Sequence, residues 1–243
     1  MIIDAQCHLG PVLWQSPPID PPELRQRMAA AGVDKACCYS FIDRIDNEYV
    51  YEAARGGTDL IPFACIDASQ PDAPDELERW LKAGMQGMKL HPYIHGYRLS
   101  SRVMDALFEL CTHYEVPVVC HLCDESQANT VWQAAHMADR FRGVNLIALH
   151  SGFLWSSDDM FEAASTRPNL YLETSLISPA VLRRGVARIG AEKFVFGTDT
   201  PFFHFEPELL KVRRAVPDLH AQEAILGRTM ARLLKLSLVA ADS

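Results

Sequence analysis

What the chain lacks narrows it first. No apolar run in its 243 residues is long enough to span a bilayer. No Lys/Arg cluster of the kind that tracks a phosphate backbone breaks the sequence, and the net charge of −8 is spread along it. Neither a membrane nor nucleic acid is therefore expected as a partner. No basic segment precedes an apolar run at the start, where Asp4 stands, so no secretory leader is expected. A second CxxC is missing too, which leaves the one formed by Cys120 and Cys123 a weak signal for redox chemistry or a zinc knuckle. The seven cysteines are an odd number, mostly set in apolar runs, and read as small buried residues in a reducing cytoplasm.

What is present is an ordinary globular composition, 49% hydrophobic and 22% charged, evenly spread, so a single domain over 1–243 is expected. The opening stretch 1–10 reads as a short strand ending in polar residues. Strict alternation puts Asp4, Gln6 and His8 on one face and Ala5 and Cys7 on the other. Further strands are expected at 35–39, 60–66, 87–91, 116–121, 145–150, 170–174 and 194–197. Helices are expected at 21–31, 47–54, 75–83, 129–141, 157–165, 179–189 and in a tail from 207 to 236. Ser100 or Ser101 caps one more helix, with Val103, Ala106, Leu107, Leu110, Cys111 and Tyr114 as its buried stripe. Eight β/α units in about 250 residues is the arithmetic of a (β/α)8 TIM barrel with a C-terminal helical tail. A doubly wound open sheet is the alternative, disfavoured because no Gly-rich phosphate turn follows the first strand.

Polar residues close five of these strands: His8, the pair Lys89 and His91, His121, His150 and Asp199. In a closed barrel the mouths of strands one, five, six and eight surround one point, and His8, His121, His150 and Asp199 would meet there. Imidazoles with a carboxylate suit one divalent transition metal, zinc first and manganese next, with an open position for water. Asp4 reads as structural. Lys89 and Arg98 are candidate anchors for a substrate carboxylate, and His91 is a candidate substrate contact. Trp14, Tyr93, Tyr97, Phe153, Trp155, Phe202 and Phe203, with His204 nearby, suggest either an aromatic pocket for a small ring-derived acid or packing at the interface of a homo-oligomer.

The segments IIDAQCHLG, GMKLHP, VPVVCHL, NLIALHSGF, KFVFGTDTP and ILGRTMARLLKL, in this order along the whole chain, resemble the amidohydrolase superfamily. The resemblance is to its amidohydrolase-related group, which includes the aminocarboxymuconate-semialdehyde decarboxylase-like proteins. It implies a TIM barrel with one metal held by Gln6, His8, His121 and Asp199, and His150 binding substrate or orienting water. One position departs from that pattern. The family usually has His-x-His on the first strand, some decarboxylating relatives have Glu first, and this chain has Gln6. An amide oxygen can complete a shell around a hard cation but is the poorer ligand, so weaker metal binding, or none, is expected. The reaction expected is metal-dependent hydrolysis of a small carboxylic substrate, with Asp199 taking a proton from water and His150 polarising a carbonyl. A metal-dependent decarboxylase, a metal-independent lactone hydrolase and a barrel that binds without catalysis are the alternatives.

Overall fold

The computed structural model describes residues 1–11, 18–123, 126–153 and 157–237. Trp14 and Trp155 lie outside the described residues. Among the described residues nine strands run parallel: β1 (Ile3–Leu9), β2 (Lys35–Ser40), β3 (Leu60–Pro62), β4 (Ala64–Cys65), β5 (Met88–Leu90), β6 (Val118–Cys123), β7 (Leu146–Phe153), β8 (Leu170–Glu173) and β9 (Phe194–Val195). β3 and β4 are halves of one barrel stave, broken at Phe63, where the expected continuous strand changes neighbours. Pro62 has no N–H to give the ladder, and the Phe63 N–H bonds back to Cys38 O at 2.9 Å while the Ala64 N–H bonds on to Gly87 O at 2.9 Å. The pairing order is β1-β2-β3 and then β4 to β9 in sequence. Beyond β9 the seam back to β1 is made by Ala5 N–H to Phe196 O, Asp199 N–H to Gln6 O and His8 N–H to Thr200 O, at 2.8–2.9 Å. The fold is an α/β TIM barrel.

Helices follow the strands with local reasons for their limits. In α1 (Pro21–Ala31) the Asp20 side chain accepts from Glu23 N–H, prolines fill the first turn, and Gly32 closes the end at φ +72. Then come α2 (Asn47–Ala54), α3 (Ala73–Ala83), the short α4 (Pro92–His95), α5 (Asp105–His113), α6 (Val131–Arg140), α7 (Ser157–Ser165) and α8 (Pro179–Ile189). The expected stripe on α5 is displaced. A 3₁₀ turn at Arg102–Met104, capped by Ser101, winds the chain tighter before α5, so Met104, Leu107, Phe108 and Cys111 are buried and Val103 is 47% exposed. The tail is not one helix but α9 (Phe205–Ala215), α10 (Leu219–Glu223), a π-helical stretch Ala224–Arg228 and α11 (Thr229–Leu233). Pro217 forces Val216 out of the helical region and breaks it there.

Two cores result. The larger lies between the strands and the helices and takes Cys7, Leu9, Cys38, Leu90, Cys120 and Leu122. The smaller fills the barrel with Ile3, Ala5, Tyr39, Phe63, Val119, Leu149 and Val195, and is stoppered by Met230, Leu233 and Leu234. Ala5 lies inside and Cys7 outside, so the expected strict alternation of β1 fails. An irregularity between Asp4 and Cys7, where three steps on β1 match two on β2, shifts the register and returns Gln6 and His8 to the interior. Among the described residues no helix is long and apolar enough to cross a membrane.

Candidate active site

The C-terminal ends of the strands open into one cavity of ≈ 700 Å³. Gln6 and His8 from β1, Lys89 from β5, His91 after it, His121 from β6, His150 from β7 and Asp199 after β9 all line it. Its rim is Phe41, Ile42, Asp43, Tyr93, Ile94, Leu176, Phe202 and Phe203. Arg98, expected as a second anchor, is exposed and outside the lining. Its neighbours Tyr97 and Leu99 are both buried, and in extended chain the residue between two buried ones faces out. Tyr97 is buried away from the lining, Phe153 is half-buried outside it, and His204 is exposed at the start of α9.

Two polar groupings meet on the floor. In the first, His8 Nε2 stands 3.2 Å from Asp199 Oδ1, and His8 Nδ1 lies 3.2 Å from the Ser40 carbonyl oxygen. A carbonyl only accepts, so Nδ1 carries a proton and Nε2 is the atom that shares or takes one beside Asp199. Phe41 stacks on the His8 ring at 5.1 Å and Phe202 meets it edge-on at 5.6 Å, which fixes the imidazole. Burial pushes the Asp199 carboxyl up, but the His8 bond, the facing His150 and His8 rings and the Lys89 ammonium outweigh it and hold it far below the usual carboxylate range. Asp199 itself sits in left-handed backbone at φ +61, as does His150 at φ +62.

The second grouping is His121 and His150, with His121 Nδ1 3.2 Å from His150 Nε2. His150 Nδ1 is 2.7 Å from Ser175 Oγ, which is 2.7 Å from Glu173 Oε2. Glu173 also accepts the His150 backbone N–H at 2.9 Å and the Ser175 backbone N–H. Burial nevertheless raises its carboxyl to about 8. Burial keeps His150 and His91 neutral, their values pushed well below the usual imidazole range. His91 stacks on His121 at 3.9 Å between ring centres. Glu173 and Ser175 are site residues that the sequence reading missed. The signal was an acid closing an apolar strand, the same pattern that marked Asp199.

Gln6 stands between the two groupings. Its Nε2 is 2.5 Å from Asp199 Oδ1 and 3.5 Å from His150 Nε2, while its Oε1 takes the Ser175 hydroxyl at 3.3 Å. An amide nitrogen donates and does not ligate. The four residues expected to hold a metal, Gln6, His8, His121 and Asp199, all line this cavity, with Gln6 presenting an N–H rather than an oxygen to Asp199. Among the described residues, the His, Cys, Asp and Glu donors that gather in a group of three within 4.8 Å of one another are His121, Cys123 and His150.

Lys89 is the cation of the cavity. It is 1% exposed, and among the described residues its Nζ has no hydrogen bond and no ion pair, only the face of Tyr39 at 4.7 Å. Burial holds its ammonium below the usual lysine range against the pull of Asp199. Asp4 is structural as expected, turned from the cavity and accepting from Gln6 N–H at 2.7 Å and from the Thr198 hydroxyl at 2.6 Å.

Three solved structures set the fold in context. An uncharacterized TIM-barrel protein from Bordetella bronchiseptica is similar at TM-score 0.79 and 19% identity, covering 96% of this chain and 98% of its own. The 2,6-dihydroxybenzoate decarboxylase from Rhizobium matches at TM-score 0.77 and 16% identity, over 96% and 98%. A probable 2-pyrone-4,6-dicarboxylic acid hydrolase from Acinetobacter baumannii with citric acid bound matches at 0.75 and 12%, over 97% and 99%. No curated protein matches. A sequence model of the amidohydrolase family spans residues 4–236, and the chain belongs to that family.

Proposed function

We propose that the protein is a hydrolase of small ring-bearing carboxylic acids, with Lys89 as the carboxylate anchor and the Asp199–His8 pair as the base. The observation that carries this reading is the buried Lys89, without an ion-pair partner among the described residues, on the wall of an otherwise largely apolar cavity. A charge taken out of water without a counter-ion is costly, and an anionic group on the substrate removes that cost. The aromatic and aliphatic rim of Phe41, Tyr93, Phe202 and Phe203 suits a flat ring beside that anion. Two of the similar structures are named for aromatic or pyrone carboxylic acids, which supports the same class.

In the hydrolytic step a water on the cavity floor attacks the substrate's acyl carbon. Asp199, ionised throughout the physiological range, takes the water proton and shares it with His8 Nε2. The acyl–heteroatom bond breaks, and the leaving group departs with that proton. His150 is held against the cavity wall by Ser175 and Glu173 so that its Nε2 side faces the reacting groups.

The test is a panel of lactones, esters and amides of ring carboxylic acids incubated in ¹⁸O-water, with products read by mass spectrometry. Hydrolysis places one ¹⁸O in the acid product. Release of CO2 without ¹⁸O incorporation overturns the hydrolase reading and makes the protein a decarboxylase. No turnover across the panel, with the acids still bound, makes it a binding barrel.

A further inference from the structure

A second cluster of metal-ligating side chains lies on β6 and β7. Residues two apart on a strand share a face, so β6 presents His121 and Cys123 to the same side, with Leu122 turned to the outer core. The neighbouring β7 is distorted at that level. His121 pairs with Leu149 and Cys123 with Phe153, so two steps on β6 face four on β7. The surplus is taken up by His150, Ser151 and Gly152, consecutive left-handed residues at φ +62, +48 and +68. Non-glycine residues avoid that conformation, and two in succession persist only where the surroundings hold them. The effect of the distortion is to bring the His150 ring over to β6.

The result is a compact donor set with an imidazole and a thiol from β6 and an imidazole from β7, their ligand atoms all within 4.8 Å of one another. The His121 and His150 nitrogens are 3.2 Å apart, an ordinary separation for two ligands about 2 Å from a shared ion. His150 Nδ1 is backed by the Ser175 hydroxyl and then the Glu173 carboxyl group, the outer-shell arrangement that fixes which ring nitrogen faces a metal. At the first strand, by contrast, Gln6 turns its amide N–H groups, which do not ligate, toward Asp199 and His150.

We propose that His121, Cys123 and His150 form a metal site for a thiophilic divalent ion of the zinc and cadmium class, offset from the first-strand position toward β6 and β7. One sulfur and two imidazoles select such ions over manganese or magnesium, which prefer oxygen. Binding requires the Cys123 thiol to lose its proton to solvent as the metal–sulfur bond forms. Three protein donors leave a tetrahedral ion one further position, and two of them, His121 and His150, line the cavity. The assignment stands apart from the hydrolase reading, and its test reads binding rather than turnover.

The experiment is titration of the chelator-treated full chain with Cd²⁺ alone, following the ultraviolet thiolate-to-metal charge-transfer band, with unchanged circular dichroism as the check on folding. Wild type saturates at one equivalent with the band. Cys123→Ser removes the band and weakens Cd²⁺ binding by about tenfold or more, His150→Gln weakens it comparably, and Asp199→Asn leaves the band intact. Absence of the band in the wild type, or its survival in folded Cys123→Ser, overturns the site. Binding that Asp199→Asn abolishes and Cys123→Ser spares places the ion on the first-strand side and overturns it as well.

Discussion

A buried ammonium with no counter-ion costs the folded chain stability and gives it affinity, and at Lys89 the two effects can be separated. Replacing the charge with an apolar side chain of similar reach removes the desolvation cost, so Lys89→Met is expected to hold or raise the melting temperature. The same change removes the anchor for an anion. We expect KM for a ring carboxylate to rise roughly 30-fold or more, from a loss of about 2 kcal/mol, with a smaller change in kcat. Arg98→Ala is the control and should leave KM within about twofold, because Arg98 is exposed outside the cavity. Saturation kinetics and thermal melts check both variants, and a lower melting temperature with unchanged KM in Lys89→Met would contradict the anchor. Lys89 was legible in the sequence because it closes an apolar run, where alternation says which way it points. Arg98 was not, since the direction of a loop residue is set by which neighbours are buried, here Tyr97 and Leu99. Glu173 closes an apolar run as Asp199 does, yet that position alone does not tell what it holds. Its partners include the backbone N–H groups of His150 and Ser175, and such bonds leave no spacing to read.

At the scale of the element, the two strands before the barrel seam meet at one point of close approach. A Cβ added at Gly197 would lie 2.4 Å from Glu173 Oε1 and 2.7 Å from its Cδ, inside any allowed contact. Gly197→Ala must therefore displace the Glu173 carboxylate, which holds Ser175 and the backbone of His150. Overpacking of this kind costs about 1–3 kcal/mol. We expect a lower urea midpoint at unchanged m-value, together with weaker Cd²⁺ binding as His150 loses its backing. An unchanged midpoint would show that Glu173 moves freely and does not position His150. The same scale explains what pattern reading captured. Strand and helix order follows from periodicity and caps that act locally, as at Asp20 and Gly32 around α1. The irregularity in β1, the broken stave at Phe63 and the looped-out end of β7 arise from pairing with a neighbouring strand. Period two along one segment cannot report them.

Across the whole molecule, the buried ionisable groups make stability depend on pH in a direction that can be worked out. Glu173 is raised to about 8 and Asp4 to about 7 by burial, against ordinary values of 4.5 and 3.8. Between those limits the folded chain holds protons that the unfolded chain has released, so each group contributes stability that is lost as pH rises through its folded value. His91 and His150 act in the opposite sense. Burial lowers both from 6.5, so the folded chain keeps them neutral and loses stability as pH falls below that value. Below pH 6.5 the two pairs oppose each other, whereas from 6.5 to about 8 the carboxyls act without that opposition. Stability should therefore decline across that upper window, by up to about 1.4 kcal/mol per pH unit for each proton involved. Glu173→Gln keeps the shape and removes the titration, so its stability should fall less steeply between pH 7 and 8 than that of the wild type. Urea midpoints at half-unit pH intervals read this directly. A wild-type curve that is flat or rising from pH 6.5 to 8 would mean that Glu173 is already ionised in the folded chain, its charge carried by the N–H and O–H groups of His150 and Ser175 rather than suppressed by the barrel around it.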